Sequence, residues 1–308
     1  MYDNSRTNSY ADKGHMYIKP TLSTDQYGEH GIFHGEITLD GTLPIDSCTN
    51  PKNLGCKRIG NYPKSIVNPT ISAKIRTVHS FYFQYGRVHV RAKIPSGDWT
   101  WPSISLLPRF NKYGPWPASG EIRLMESRGN VILVDENGKD IGSNRITSAL
   151  HFGPYFPYNG YENALIERVH RSGFDEKFHL YSVEWTPDNI TFFLDDVPTK
   201  VITPPEGGFW ELGGFDRSVP NPWENSDNQR MAPFDQKYFL ALNVAVGGTG
   251  GHFPDTALNG PNKKRKPWVN ANSQSSFLTF YNARREWYPT WADDKAALII
   301  DYIEIYAI

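Results

Sequence analysis

The chain has 308 residues and a formal net charge of −1, so it offers no electrostatic basis for nucleic acid or an anionic membrane as its main partner. Aromatic residues make up 14% of it, and Gly and Pro number 26 and 23, a mixture that favours many strands joined by turns over long helices. No apolar run approaches the length that crosses a bilayer, which leaves neutral ligands such as sugars open.

The opening Met1-Tyr2-Asp3 segment lacks the apolar region of a secretory leader; if the protein is secreted, this chain is expected to be a mature form or one trimmed for expression. The two cysteines, Cys48 and Cys56, stand in a short polar loop. A local disulfide, and with it an oxidising, extracellular setting, is the favoured reading over two unrelated thiols. A zinc site lacks further cysteines to complete four ligands. Period-two runs then predict strands over Phe81 to Phe83, Arg87 to Ile94, Asn189 to Leu194 and Ala297 to Tyr306. The basic run Lys263 to Lys266 predicts a solvated loop, and Thr290 to Ala297 predicts a short helix. No repeat or low-complexity linker interrupts residues 1–308. One all-β domain is therefore expected, two antiparallel sheets face to face with one outer face able to curve into a cleft.

Chemistry concentrates in Gly120-Glu-Ile-Arg-Leu-Met-Glu-Ser-Arg-Gly-Asn130. Glu121 and Glu126 are five positions apart, and a regular strand would send them to opposite faces. One extra residue, a β-bulge around Leu124 and Met125, would return Glu126 to the face of Glu121 and Arg123. At about 3.3 Å per residue the two backbones would then stay roughly 13 Å apart. Side chains leaning together would bring the carboxyls near the ~5–5.5 Å of retaining glycosidases.

The run from Trp116 to Asn130 resembles the active-site strand of glycoside hydrolase family 16, which in its laminarinase branch reads Glu-x-Asp-x-x-Glu. The resemblance is to animal endo-β-1,3-glucanases and their relatives, the β-1,3-glucan recognition or Gram-negative-binding proteins. Further segments fall in family order: Tyr17 to Leu22, Gly97 to Pro102, Ala149 to Pro154, Val183 to Asp188, Leu242 to Gly248 and Asp301 to Tyr306. The Cys48/Cys56 loop likewise looks like the family's disulfide loop. The resemblance implies a jelly-roll β-sandwich with a glucan-binding cleft on its concave face.

By that resemblance Glu121 is the nucleophile and Glu126 the acid/base of a retaining double displacement. Arg123 stands where the family has its middle Asp. A cation within 4–6 Å commonly lowers a carboxylate pKa by ~1–3 units, which a nucleophile tolerates and a general acid does not. Slow or lost hydrolysis is expected if Arg123 stays in the cleft. The alternative function is a non-catalytic β-1,3-glucan receptor of innate immunity.

Sugar C–H faces pack on aromatic rings. Trp116, Trp99 and Trp101 are accordingly expected to bind substrate, with core packing the alternative for the last two. Ser105 replaces a further family Trp. His151 is expected to face the leaving-group side, with Asn243 and Trp268 lining the cleft. Arg128 is expected to bond the substrate or merely fix its loop, and Trp185 reads equally well as core. Asp301 resembles a carboxylate that holds a structural calcium in some members; otherwise no cofactor is implied. The expected partner is a β-1,3-glucan, bound by a monomer.

Overall fold

A computed structural model describes residues 1–3, 5–38, 48, 55–271 and 273–308. Two large antiparallel sheets carry the fold. Their strands, in chain order, are β1 (Ser9–Asp12), β2 (His15–Ile18), β3 (Lys74–Arg76), β4 (Gly86–Lys93), β5 (Thr100–Pro108), β6 (Glu121–Ser127) and β7 (Arg145–His151). They continue as β8 (Ile166–Val169), β9 (His179–Trp185), β10 (Ile190–Leu194), β11 (Val197–Ile202), β12 (Tyr238–Val246) and β13 (Leu298–Tyr306). One sheet runs β1-β2-β13-β4-β9-β10-β11 and the other β8-β7-β6-β5-β12-β3.

Alternation explains how the sheets pack. Val88, Val90 and Ala92 on β4 turn into the same core as Ile104 and Leu106 on β5 and Leu240, Leu242 and Val244 on β12. The intervening residues of β5 and β12 are left on the opposite, outer face. Trp185 belongs to this core, its indole N–H donating to the Phe234 carbonyl at 2.9 Å. Cys48 and Cys56 form a disulfide.

Three sequence expectations need correction. Residues 81–83 form no strand; only Phe83 makes an isolated bridge, to Tyr238. The C-terminal helical segment lies earlier than predicted, over Arg284–Trp287 and Tyr288–Trp291. Trp287 and Trp291, one turn apart, are both buried with Phe280, and Ala292, with ψ 143°, ends the helical course. Lys266 is not solvated: its ammonium is buried against the Phe253 carbonyl, Asn270 and Asp255.

Candidate active-site cleft

The bulge is present. Arg123 pairs with Ala149 on β7 and Ser105 on β5, whereas Glu126 pairs with Thr147 and Ser103. Three residues of β6 thus span two of each neighbour, one residue too many for a regular ladder. Leu124 and Met125 both enter the core, and Glu121, Arg123 and Glu126 all face a cleft of about 610 Å³ on the outer face of the six-stranded sheet. Gly120 sets the entry to the strand. Its φ is +80°, and a Cβ there would lie 2.4 Å from the Tyr238 hydroxyl, which itself donates to the Ser119 carbonyl at 2.7 Å.

Arg123 lies between the two carboxylates. Its Nε donates to Glu121 Oε1 at 3.0 Å and its Nη1 to Glu126 Oε1 at 2.7 Å; Nη2 is also 3.0 Å from Glu121 Oε1. Nitrogens of one planar guanidinium with C–N bonds of ~1.33 Å lie about 2.3 Å apart, so the two bridged oxygens are at most about 8 Å apart. Indole N–H groups complete the arrangement: Trp101 donates to Glu126 Oε1 at 2.8 Å and Trp116 to Glu121 Oε2 at 3.0 Å. Ser105 donates to Glu121 Oε1 at 2.9 Å. The residue read from sequence as a lost aromatic contact is therefore a direct partner of a site carboxylate.

These contacts fix the charge on Glu121. Burial alone would raise its pKa, but the Arg123 cation, with the Ser105 and Arg123 hydrogen bonds, outweighs burial and holds it at about 2. His151 also acts on Glu121 when charged, but burial pushes the imidazole down to about 4. At neutral pH it is uncharged, and Arg123 is the cation in direct contact with Glu121.

Residues 51–210 match the model for glycosyl hydrolases family 16. The chain is 42% identical over 313 residues to a β-1,3-glucan-binding protein of Penaeus monodon, covering 99% of this chain and 81% of that protein. The chain belongs to glycoside hydrolase family 16. It is also 34% identical over 312 residues to β-1,3-glucan-binding protein 1 of Manduca sexta, spanning all of this chain but only 58% of the moth protein. In fold it is similar to the laminarinase from Rhodothermus marinus, with a TM-score of 0.56 and 21% identity over 98% of this chain and 81% of that one.

Against this family 16 frame the remaining expected site residues divide. Trp101, Trp116 and Asn243 line the cleft, and the Trp101 ring is stacked at 3.9 Å on His252. Trp99 does not line it: the side chain is 2% exposed and packs on Phe253 and Trp268. It precedes β5 with φ 64°, so the alternation that would have put it beside Trp101 does not apply. Trp268 is also buried, its N–H donating to the Gly248 carbonyl at 2.8 Å; it borders an adjoining cavity of about 370 Å³ that shares Tyr2 and Ala245 with the cleft.

His151 pairs with Glu121 across the strands; its ring packs against Trp116 and Tyr161, and its Nδ1 is 3.0 Å from the Asn159 amide. Arg128 fixes its loop, donating to the carbonyls of His252 and Ile141. Asp301, the carboxylate singled out for calcium, faces Arg91 and His15 instead, and no metal-type cluster occurs among the described residues. Sequence reasoning missed Lys74 and Arg76, which reach the cleft from β3. Their short strand has no periodicity that would have set them apart.

Proposed function

We propose that this family 16 chain binds β-1,3-glucan in the cleft over β3, β5, β6 and β12, as a retaining endo-β-1,3-glucanase domain whose hydrolysis Arg123 slows or abolishes. The observation that carries the reading is the Arg123 guanidinium, hydrogen-bonded to Glu121 and Glu126 at once. In a double displacement Glu121 attacks the anomeric carbon while Glu126 protonates the departing oxygen, then takes a proton from water. Glu121 is ionised, as attack requires. Its Oε1, however, is occupied by Ser105 and Arg123, and the guanidinium fills space between the acids that a reacting sugar needs. Glu126 Oε1 is likewise engaged, by the Arg123 guanidinium and the Trp101 indole.

The cleft walls are unaffected by this obstacle. Trp101 and Trp116 offer ring faces for pyranose C–H surfaces, and Ser103 and Asn243 offer polar groups to hydroxyls. The names of the Penaeus and Manduca relatives support glucan recognition as the retained activity. The disulfide supports an extracellular protein. A purely recognitional role is the second reading, favoured by Arg123 and by Ser105 in place of an aromatic. A pull-down on insoluble β-1,3-glucan beside a reducing-sugar assay on laminarin tests both. Binding with slow release of sugar supports the first and binding with none supports the second. Absence of binding refutes both.

A further inference from the structure

The loop after β7 has a composition unlike that of an ordinary surface loop. Residues 152–161, Phe-Gly-Pro-Tyr-Phe-Pro-Tyr-Asn-Gly-Tyr, contain five aromatic rings and no Asp, Glu, Lys or Arg. Phe152 anchors the segment in the core, but Tyr155, Phe156 and Tyr158 are 47%, 73% and 50% exposed. Large rings left in water cost hydrophobic free energy unless something covers them.

The segment is nonetheless well fixed. Tyr155 and Tyr158 form a bridge and pack edge to face at 5.0 Å, and the Gly160 amide donates to the Phe152 carbonyl at 2.7 Å. Asn159 Oδ1 accepts from the amides of Phe152 and Tyr161 at 3.3 and 3.2 Å. The backbone that carries the rings is therefore set before any ligand arrives, which reduces the ordering cost of binding.

Their position identifies what they meet. Phe156 lies 6.3 Å from Trp116, with ring planes 34° apart, and Trp116 lines the cleft with 40% of its own surface exposed. The aromatic wall thus runs unbroken out of the cleft onto the loop. An uncharged row of rings continuous with a sugar-type cleft fits a neutral polysaccharide. It suits a charged partner poorly.

We propose that Tyr155, Phe156 and Tyr158 form a stacking platform that extends the cleft and engages glucosyl units of a long β-1,3-glucan beyond those the cleft itself holds. The proposal rests on the glucan-binding reading and adds to it a preference for polymer over short oligosaccharide. Calorimetric titration of wild type, Phe156→Ala and Tyr155→Ala/Phe156→Ala with laminaritriose and with laminarin tests it.

Losing an aromatic anchor commonly weakens binding by roughly tenfold. Laminarin affinity should therefore fall about tenfold in the variants, while trisaccharide affinity stays within about twofold and reports correct folding. Unchanged laminarin binding, or equal loss for both sugars, overturns the platform and leaves the cleft reading intact. Wild-type protein that binds neither sugar overturns both. Loss of self-association in the variants, seen by sedimentation with glucan affinity unchanged, would assign the rings to a second copy and overturn the platform.

Discussion

Replacing Arg123 with Asp inverts the charge at the centre of the cleft. Glu121 is held at about 2 although burial pushes the other way, and the guanidinium is in contact with it at 3.0 Å. A cation at that range lowers a carboxylate by ~1–3 units, and an anion raises it by a comparable amount. The exchange takes away a lowering influence and adds a raising one, so the cluster of carboxyls should retain a proton at mildly acidic pH. A gain of two units means about a hundredfold more protonated acid at fixed pH. The guanidinium also vacates the space between the two glutamates.

Laminarin hydrolysis by Arg123→Asp, followed by reducing-sugar release, should rise at least ~100-fold over the parent, within the range that general acid catalysis supplies. The β-anomer should be the first product by NMR. Stability should fall by ~3–5 kcal/mol, the usual consequence of removing one partner of a buried ion pair, as read by denaturant unfolding. Arg123→Met controls for the space: it removes cation and fork without adding a carboxylate, and should recover less activity. If Arg123→Asp is folded and still binds glucan yet releases no more sugar than the parent, the arginine is not what restrains catalysis.

Three further changes probe the surrounding shell. Ser105→Ala deletes a 2.9 Å donor to a buried carboxylate and should cost ~1.5–3 kcal/mol at pH 7. Glu121 stabilises the fold fully above its unfolded pKa of 4.5 and loses that contribution as pH falls toward 2. The Ser105→Ala penalty in urea unfolding should therefore shrink over the same window. Arg128→Met removes the donors to the His252 and Ile141 carbonyls; it should destabilise by ~2–4 kcal/mol with glucan affinity unchanged, and weaker binding without lost stability would place Arg128 in the sugar site. His151 is held at about 4 against 6.5 unfolded, so the unfolded chain takes up the proton first and stability falls as pH drops from 6.5 to 4, by up to ~3 kcal/mol. His151→Gln should lose that slope relative to wild type. Asp98, raised by burial to about 6, contributes the opposite slope to both proteins and cancels in the comparison.

The site was legible where side-chain chemistry and backbone period could be read against each other. Glu121 and Glu126 five apart, with Leu124 and Met125 adjacent and both apolar, demand a bulge in any sheet that buries the one pair and exposes the other; the register shows that bulge. For Trp99 the sequence offered core and cleft alike and could not choose, because its inward turn follows from a left-handed backbone angle that no residue pattern records. The helix over Thr24–His34 was missed for a similar reason: Gly28 at φ 68° breaks it into two short turns, and neither is long enough to show a 3.6-residue period. Ser105 was visible only as a missing ring. Its bond to Glu121 depends on cross-strand register, which a single strand's sequence does not contain.

Catalysis and recognition in this cleft rest on different physical terms. Hydrolysis needs both carboxyls free to meet the sugar, and Arg123 opposes that by contact with each. Recognition needs ring faces and hydrogen-bonding groups in fixed positions, and here the arginine helps. By holding Glu121 and Glu126 it also holds the acceptors of the Trp116 and Trp101 indoles, so each ring is tethered at its N–H edge where it lines the cleft. An Asp at position 123 cannot donate these hydrogen bonds when ionised. The substitution that restores chemistry should therefore loosen both tryptophans, and any gain in turnover by Arg123→Asp should come with a faster glucan off-rate. A variant with higher turnover and unchanged off-rate would show that the two indoles are positioned by their own packing and not by the arginine clamp.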